Sequence, residues 1–156
     1  MMKRIPLFLG AIVSAFAFRA ASASEPAKVQ FLNSGKVAAA NVPFSEAVRV
    51  DNTLYLSGQL GIAPGTRTLV SGGIKEQARQ VMTNIKTTLE ANGYTLRDLV
   101  KCTVMLSDIA NRDAFNEVYM SFFDGRFPAR SAMGVNGLAL GGLVEVECIA
   151  VLGAGK

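Results

Sequence analysis

Histidine is absent from all 156 residues of the chain. That excludes a Ser-His-Asp or Cys-His catalytic pair and any histidine-containing metal site. Cysteine is scarce too: Cys102 and Cys148 alone cannot form a four-thiolate zinc site. No Gly-x-x-x-x-Gly-Lys-Ser/Thr or Gly-x-Gly-x-x-Gly stretch occurs, so nothing supports nucleotide binding. Charge is sparse, with 18% charged residues against 50% apolar ones, which suits one folded domain with a real core.

The formal charge of +4 overstates the basic character. Lys3, Arg4 and Arg19 lie in residues 1–23, a stretch without acids; the remainder holds thirteen basic and twelve acidic residues, a net of +1. A nearly neutral domain has little electrostatic reason to bind nucleic acid.

Residues 1–23 read as a secretory signal. Lys3 and Arg4 make a basic start, Ile5 to Phe18 is an almost unbroken apolar run, and Ala21-Ser22-Ala23 offers small residues for cleavage. The run is shorter than the roughly 20 residues that span a bilayer, so no stable membrane insertion is expected. The expected destination is the periplasm or the outside of the cell. Arg19 and the serines leave an organelle transit peptide as the alternative.

Residues 24–36 are polar and are expected to form a loose tail, with the folded domain at 37–156. Two short strands, Ala47–Val50 and Thr53–Ser57, flank Asp51-Asn52, a pair that tolerates the positive φ of a tight hairpin. The second strand runs into Ser57-Gly58-Gln59, where Gly58 would let another group approach the backbone closely. From Ile74 to Leu89 the apolar residues recur at helical spacing, and Asn92-Gly93 supplies a stop. Leu99–Leu106 alternates as a strand with Val100, Cys102, Val104 and Leu106 on its apolar face. A second helix opens at Asn111 or Asp113 with Phe115, Val118, Tyr119 and Phe122 on its buried face, and it ends before Pro128. Two amphipathic helices flanked by strands predict an α+β sandwich with both helices on one sheet face. The other face then needs a cover, and self-association is the natural one.

The chain closes with Phe127-Pro128-Ala129-Arg130-Ser131, a glycine-rich turn and the strand Val144-Glu145-Val146-Glu147. Period-two alternation puts Val144, Val146, Cys148, Ala150 and Leu152 on one face and Glu145 and Glu147 on the other. If the two strands lie side by side, a guanidinium and a carboxylate could face one cavity. Arginine presents a rigid fork to a carboxylate, and glutamate can handle a proton or a water. Spacing alone favours the plainer reading, a surface arginine and two acids on a solvated face. Cys102 and Cys148 both fall on the helix-facing side of their strands. They are expected as buried thiols; a disulfide would require export and adjacent strands in register.

Ser57-Gly58-Gln59, Asn116 on the second helix, Phe-Pro-Ala-Arg-Ser at 127–131 and Glu-Val-Glu at 145–147, in this order, resemble the RidA (YjgF/YER057c/UK114) family from about Val42 to Leu152. The resemblance implies a chorismate-mutase-like α+β fold assembled as a homotrimer, with active sites in the clefts between subunits. It also implies hydrolysis of small 2-imino and enamino acids to 2-oxo acids and ammonia, with no metal or organic cofactor. Arg130 matches the arginine that binds the substrate carboxylate, and Glu145 the glutamate that positions water. Ser57 with Gly58, and Asn116, match substrate-binding positions. The chain departs from the family at Phe44, where a tyrosine is common, and at Ala132, where a cysteine is common. A trimer that binds small carboxylates without hydrolysing them is the alternative. RNA cleavage, ascribed to some relatives, is a third reading, which the small net charge disfavours.

Overall fold

The computed structural model describes residues 25–155, so the expected signal at 1–23 lies outside the described residues. The first hairpin pairs β2 (Ala47–Val50) with β3 (Thr53–Leu56). Asp51 turns it with φ at 50°, in the left-handed region that aspartate tolerates. Its carboxylate accepts a hydrogen bond from the Lys28 amide at 2.9 Å. That contact introduces β1 (Val29–Leu32), which pairs antiparallel with β2. Residues 24–36 are therefore not simply a loose tail, because they contain an edge strand. Two of its four residues are exposed and two half-buried, which is too weak an alternation to read from the residues.

β4 (Gln59–Leu60) continues β3 along the same partner, the last strand β7 (Val144–Val151). Tyr55 faces Ile149 and Gln59 faces Val146, so the β3–β4 side carries one extra residue. This is a bulge around Ser57–Gly58. α1 (Ile74–Ala91) follows and buries Ala78, Val81, Met82, Ile85 and Leu89, one face at helical spacing. It ends at Asn92, followed by Gly93 at φ 82°. β5 (Leu99–Leu106) starts with a second bulge, because Leu99 faces Ala150 while Lys101 faces Ile149. The bulge gives Leu99 the buried place expected for Val100; from Cys102 onward the expected alternation is observed.

α2 (Arg112–Met120) buries Phe115, Val118 and Tyr119 and returns the chain to β6 (Ala129–Gly134), parallel to β5. The sheet order is β1-β2-β3-β7-β5-β6, with β4 also on β7. Both helices pack on one face, and their apolar stripes join the inward residues of β3, β5 and β7 in a single core. Truncating any of the core leucines, isoleucines or methionines to alanine would cost about 2–5 kcal/mol. Among the described residues no helix lies over the opposite face. A row of opposed residues, Phe31, Val48, Tyr55 and Ile149, crosses it, with Phe31 74% and Tyr55 47% exposed.

Cys102 and Cys148 stand directly opposite each other on β5 and β7. They form a disulfide with both residues buried. The expectation of two free thiols is overturned because the two strands are adjacent and in register at this pair. The bridge closes a 46-residue separation, and restriction of the unfolded chain by such a loop is worth about 4 kcal/mol. Among the described residues no helix is long and apolar enough to cross a membrane.

Candidate active site

The strands carrying Arg130 and Glu145 do not lie side by side. β5 separates β6 from β7. Arg130 is in register with Cys102, and Glu145 with Met105. Cys102 is buried under the helices and Met105, an odd number of residues away, projects from the opposite face. Arg130 and Glu145 therefore leave opposite faces of one sheet, and one chain cannot bring them together. The shared cavity that adjacent strands would have made does not exist within a single copy.

Arg130 is held firmly where it is. Its Nη2 donates to Asn116 Oδ1 at 2.7 Å, so the asparagine of α2 and the arginine of β6 are joined. Its guanidinium lies 4.7 Å from the Tyr119 ring centre and 5.7 Å from that of Phe115. One hydrogen bond and two aromatic faces fix the fork, and among the described residues no carboxylate pairs with it. The Tyr119 hydroxyl is buried without a hydrogen-bond partner; burial pushes its pKa up to about 12, and the charge of Arg130 pulls the other way. Ala132, on the same side of β6, is exposed and contributes no polar group.

Glu145 belongs to a separate cavity of about 400 Å³, with Phe44, Ser57 and Gly58 on its wall. The bulge at Ser57–Gly58 explains the close fit. A Cβ on residue 58 would overlap Glu145 Oε1, so the glycine leaves room for the carboxylate in this position. Burial holds the Glu145 carboxyl above the usual range, and the neighbouring charge of Glu147 adds to the rise. The Ser57 hydroxyl donates to the Ser45 carbonyl at 2.7 Å, which leaves its oxygen as an acceptor. The Phe44 ring is half exposed; with Ala38, Ala39 and Val42 it makes the cavity wall apolar. The charged residues on this wall are Glu145 and Arg67.

Glu46 was not marked by any motif, yet it pins the segment whose Ala38 lines this wall. Its carboxylate, in a residue only 1% exposed, accepts from Ser34 N at 2.7 Å, Ser34 Oγ at 2.5 Å and Ala38 N at 2.8 Å, with Val37 N at 3.4 Å. Its own amide donates to Asn33 Oδ1 at 2.9 Å. Burial taken alone raises its pKa, but the hydrogen bonds from Ser34, Ala38 and Val37 together outweigh that and hold it below the usual value. A lone acid before a strand carries no signal in sequence, since its partners are mainly backbone amides.

Comparison with known proteins agrees with this arrangement of elements. Residues 35–152 match the family model described as Endoribonuclease L-PSP. The chain belongs to the RidA (YjgF/YER057c/UK114) family. A goat (Capra hircus) protein named 2-iminobutanoate/2-iminopropanoate deaminase is 47% identical over 124 residues, covering 80% of this chain and 90% of that protein. The human protein of the same name is 41% identical over 122 residues, 78% of this chain and 89% of its own. The crystal structure of RidA from an Antarctic Psychrobacter is 43% identical, with a TM-score of 0.74 over 79% of this chain and 99% of that one. The α+β fold with two helices on a mixed sheet is the fold of these RidA structures.

The charge on Glu46 has a measurable signature. Its folded pKa lies below the unfolded value near 4.5, so its contribution to stability is complete above that value and fades as pH falls through the folded one. Glu46→Gln should lose about 1–3 kcal/mol at pH 7, and the gap to wild type should narrow as the solution is acidified below pH 4.5. Urea unfolding at both pH values checks this; a gap independent of pH would show that the carboxylate charge is not what holds the 34–38 segment.

Proposed function

We propose that the protein hydrolyses small 2-imino acids and their enamine tautomers to 2-oxo acids and ammonia, in clefts between copies of the chain in a homotrimer. The observation that carries the reading is the separation of Arg130 from Glu145. Each is prepared for a substrate, one as a fixed guanidinium without a carboxylate, the other as a raised carboxylate in a cavity, and they lie on opposite faces. The site becomes whole when the Arg130 surface of one copy meets the Glu145 cavity of the next. The exposed Phe31 and Tyr55 of the uncovered face supply apolar area for assembly. The deaminase names and 41–47% identity of the mammalian relatives support the reaction class.

In this scheme Arg130 binds the substrate carboxylate bidentately and fixes the imine carbon in the cavity. Asn116 holds the arginine's orientation. Glu145 accepts a proton from water as its oxygen bonds to the imine carbon; its raised pKa makes it a stronger base than an ordinary carboxylate. The proton is delivered to nitrogen, the C–N bond of the carbinolamine breaks, and the carbonyl forms. The balance is imine plus water to 2-oxo acid plus ammonia. Ser57, whose proton is engaged by Ser45, accepts from the imine N–H. Phe44 packs against the substrate without donating a hydrogen bond.

The protein is also proposed to be exported. The disulfide between Cys102 and Cys148 suits an oxidising compartment and joins the basic, apolar and small-residue pattern of residues 1–23 in support of that destination.

Two measurements test these statements. Imine loss, followed by trapping with semicarbazide during in situ generation of 2-iminopropanoate, should be accelerated by wild type. Arg130→Ala should remove that acceleration, and Glu145→Gln should reduce it by about 10²–10⁴-fold. A folded Arg130→Ala protein with wild-type turnover would overturn the assignment. Protein isolated from its own cells should begin after Ala23 and show no free thiol on alkylation; an intact leader with two reactive thiols would contradict export.

A further inference from the structure

Arg67 stands apart from the other arginines. Among the described residues, Arg49, Arg79, Arg97, Arg112, Arg126 and Arg130 each have an ion-pair or hydrogen-bond partner. Arg67 has neither, yet it is the cation on the wall of the Glu145 cavity. Its position is built by the backbone. Ala63 N donates to Thr68 O at 2.9 Å, Thr66 Oγ1 to Ala63 O at 2.7 Å, and Thr68 N to Thr66 Oγ1 at 3.1 Å. Gly65 N donates to Val37 O at 3.0 Å, tying this loop to the segment that Glu46 pins. Ile62 and Leu69 pair across its base. The loop thus delivers an unpaired guanidinium to the exposed rim of the cavity, across a wall of Ala38, Ala39 and Val42.

We propose that Arg67 is a specificity residue that selects 2-imino acids carrying a second carboxylate, such as the imines of four- and five-carbon dicarboxylic amino acids. The inference rests on the hydrolase reading above. With the α-carboxylate on Arg130 of a neighbouring copy and the imine carbon beside Glu145, the side chain of the substrate extends along the apolar wall towards the rim. A methylene or two passes the alanines, and the terminal carboxylate meets the planar fork of Arg67. The same cation offsets the repulsion between a dianionic substrate and Glu145. The reaction is unchanged: the diacid imine and water give the oxo diacid and ammonia.

The test compares 2-iminosuccinate with 2-iminopropanoate, generated in situ by amino-acid oxidases and followed by semicarbazide trapping. Wild type should favour the diacid in kcat/KM by roughly tenfold or more; Arg67→Ala should lower that preference by roughly tenfold, and Arg67→Lys, which keeps the charge without the planar fork, should retain only part of it. An unchanged ratio in Arg67→Ala would overturn the proposal, as would an equal loss on both substrates, which would assign Arg67 to the common α-carboxylate or to the fold. If wild type accelerates neither imine, the hydrolase reading fails by itself, and calorimetry with oxaloacetate and pyruvate decides the role of Arg67. Tighter oxaloacetate binding that disappears in Arg67→Ala keeps the diacid selection; equal binding of the two oxo acids removes it.

Discussion

The alternation of side chains along β7 constrains everything else in the molecule. Val144, Val146, Cys148 and Ala150 are buried beneath the helices, and with a period of two their burial forces Glu145 and Glu147 to the opposite face. A slip of one residue would place both carboxylates in the core and four core residues in solvent. The register is pinned from both sides, by the Cys102–Cys148 bridge to β5 and by the antiparallel neighbour β3. Glu145 is thereby held on the uncovered face, and the bulge at Ser57–Gly58 makes the hollow into which it fits.

The same sheet puts Arg130 on the helix side, two strands away. Its orientation depends on α2, which supplies Asn116 as acceptor and Phe115 and Tyr119 as aromatic faces. One fold therefore prepares two half-sites under different conditions. The arginine is clamped, and the glutamate is partly desolvated and more basic. Separation on opposite faces keeps each free until a second copy arrives.

Much of this was legible in the residues. The stripe from Ala78 to Leu89, the face Phe115–Val118–Tyr119 and the alternation of β7 are strong periodic signals, and Asp51 marks the first hairpin. Gly58 read as a close-approach point, and the approaching group is Glu145. What escaped detection depends on contacts distant in sequence. β1 is an edge strand without a distinct apolar face, and the bulge at the start of β5 exchanges Val100 for Leu99 through one extra residue. The disulfide needed the knowledge that β5 and β7 are neighbours in register. Glu46 binds backbone amides eight to twelve residues earlier, and amides have no sequence signature. The relation of Arg130 to Glu145 stayed open for the same reason: spacing along the chain does not reveal that β5 lies between them.

The central claim is that Arg130 and Glu145 act together only across two copies of the chain, and subunit mixing tests it directly. Arg130→Ala and Glu145→Gln proteins, each inactive alone, would be unfolded together in equal amounts and refolded, and imine turnover would then be measured. In randomly assembled closed rings, about one cleft in four receives an intact arginine from one chain and an intact glutamate from its neighbour. Recovery of about a quarter of wild-type activity is the expected result. Refolded mixtures that form wild-type-like assemblies yet stay as inactive as either parent would contradict it and place both residues' chemistry within one chain.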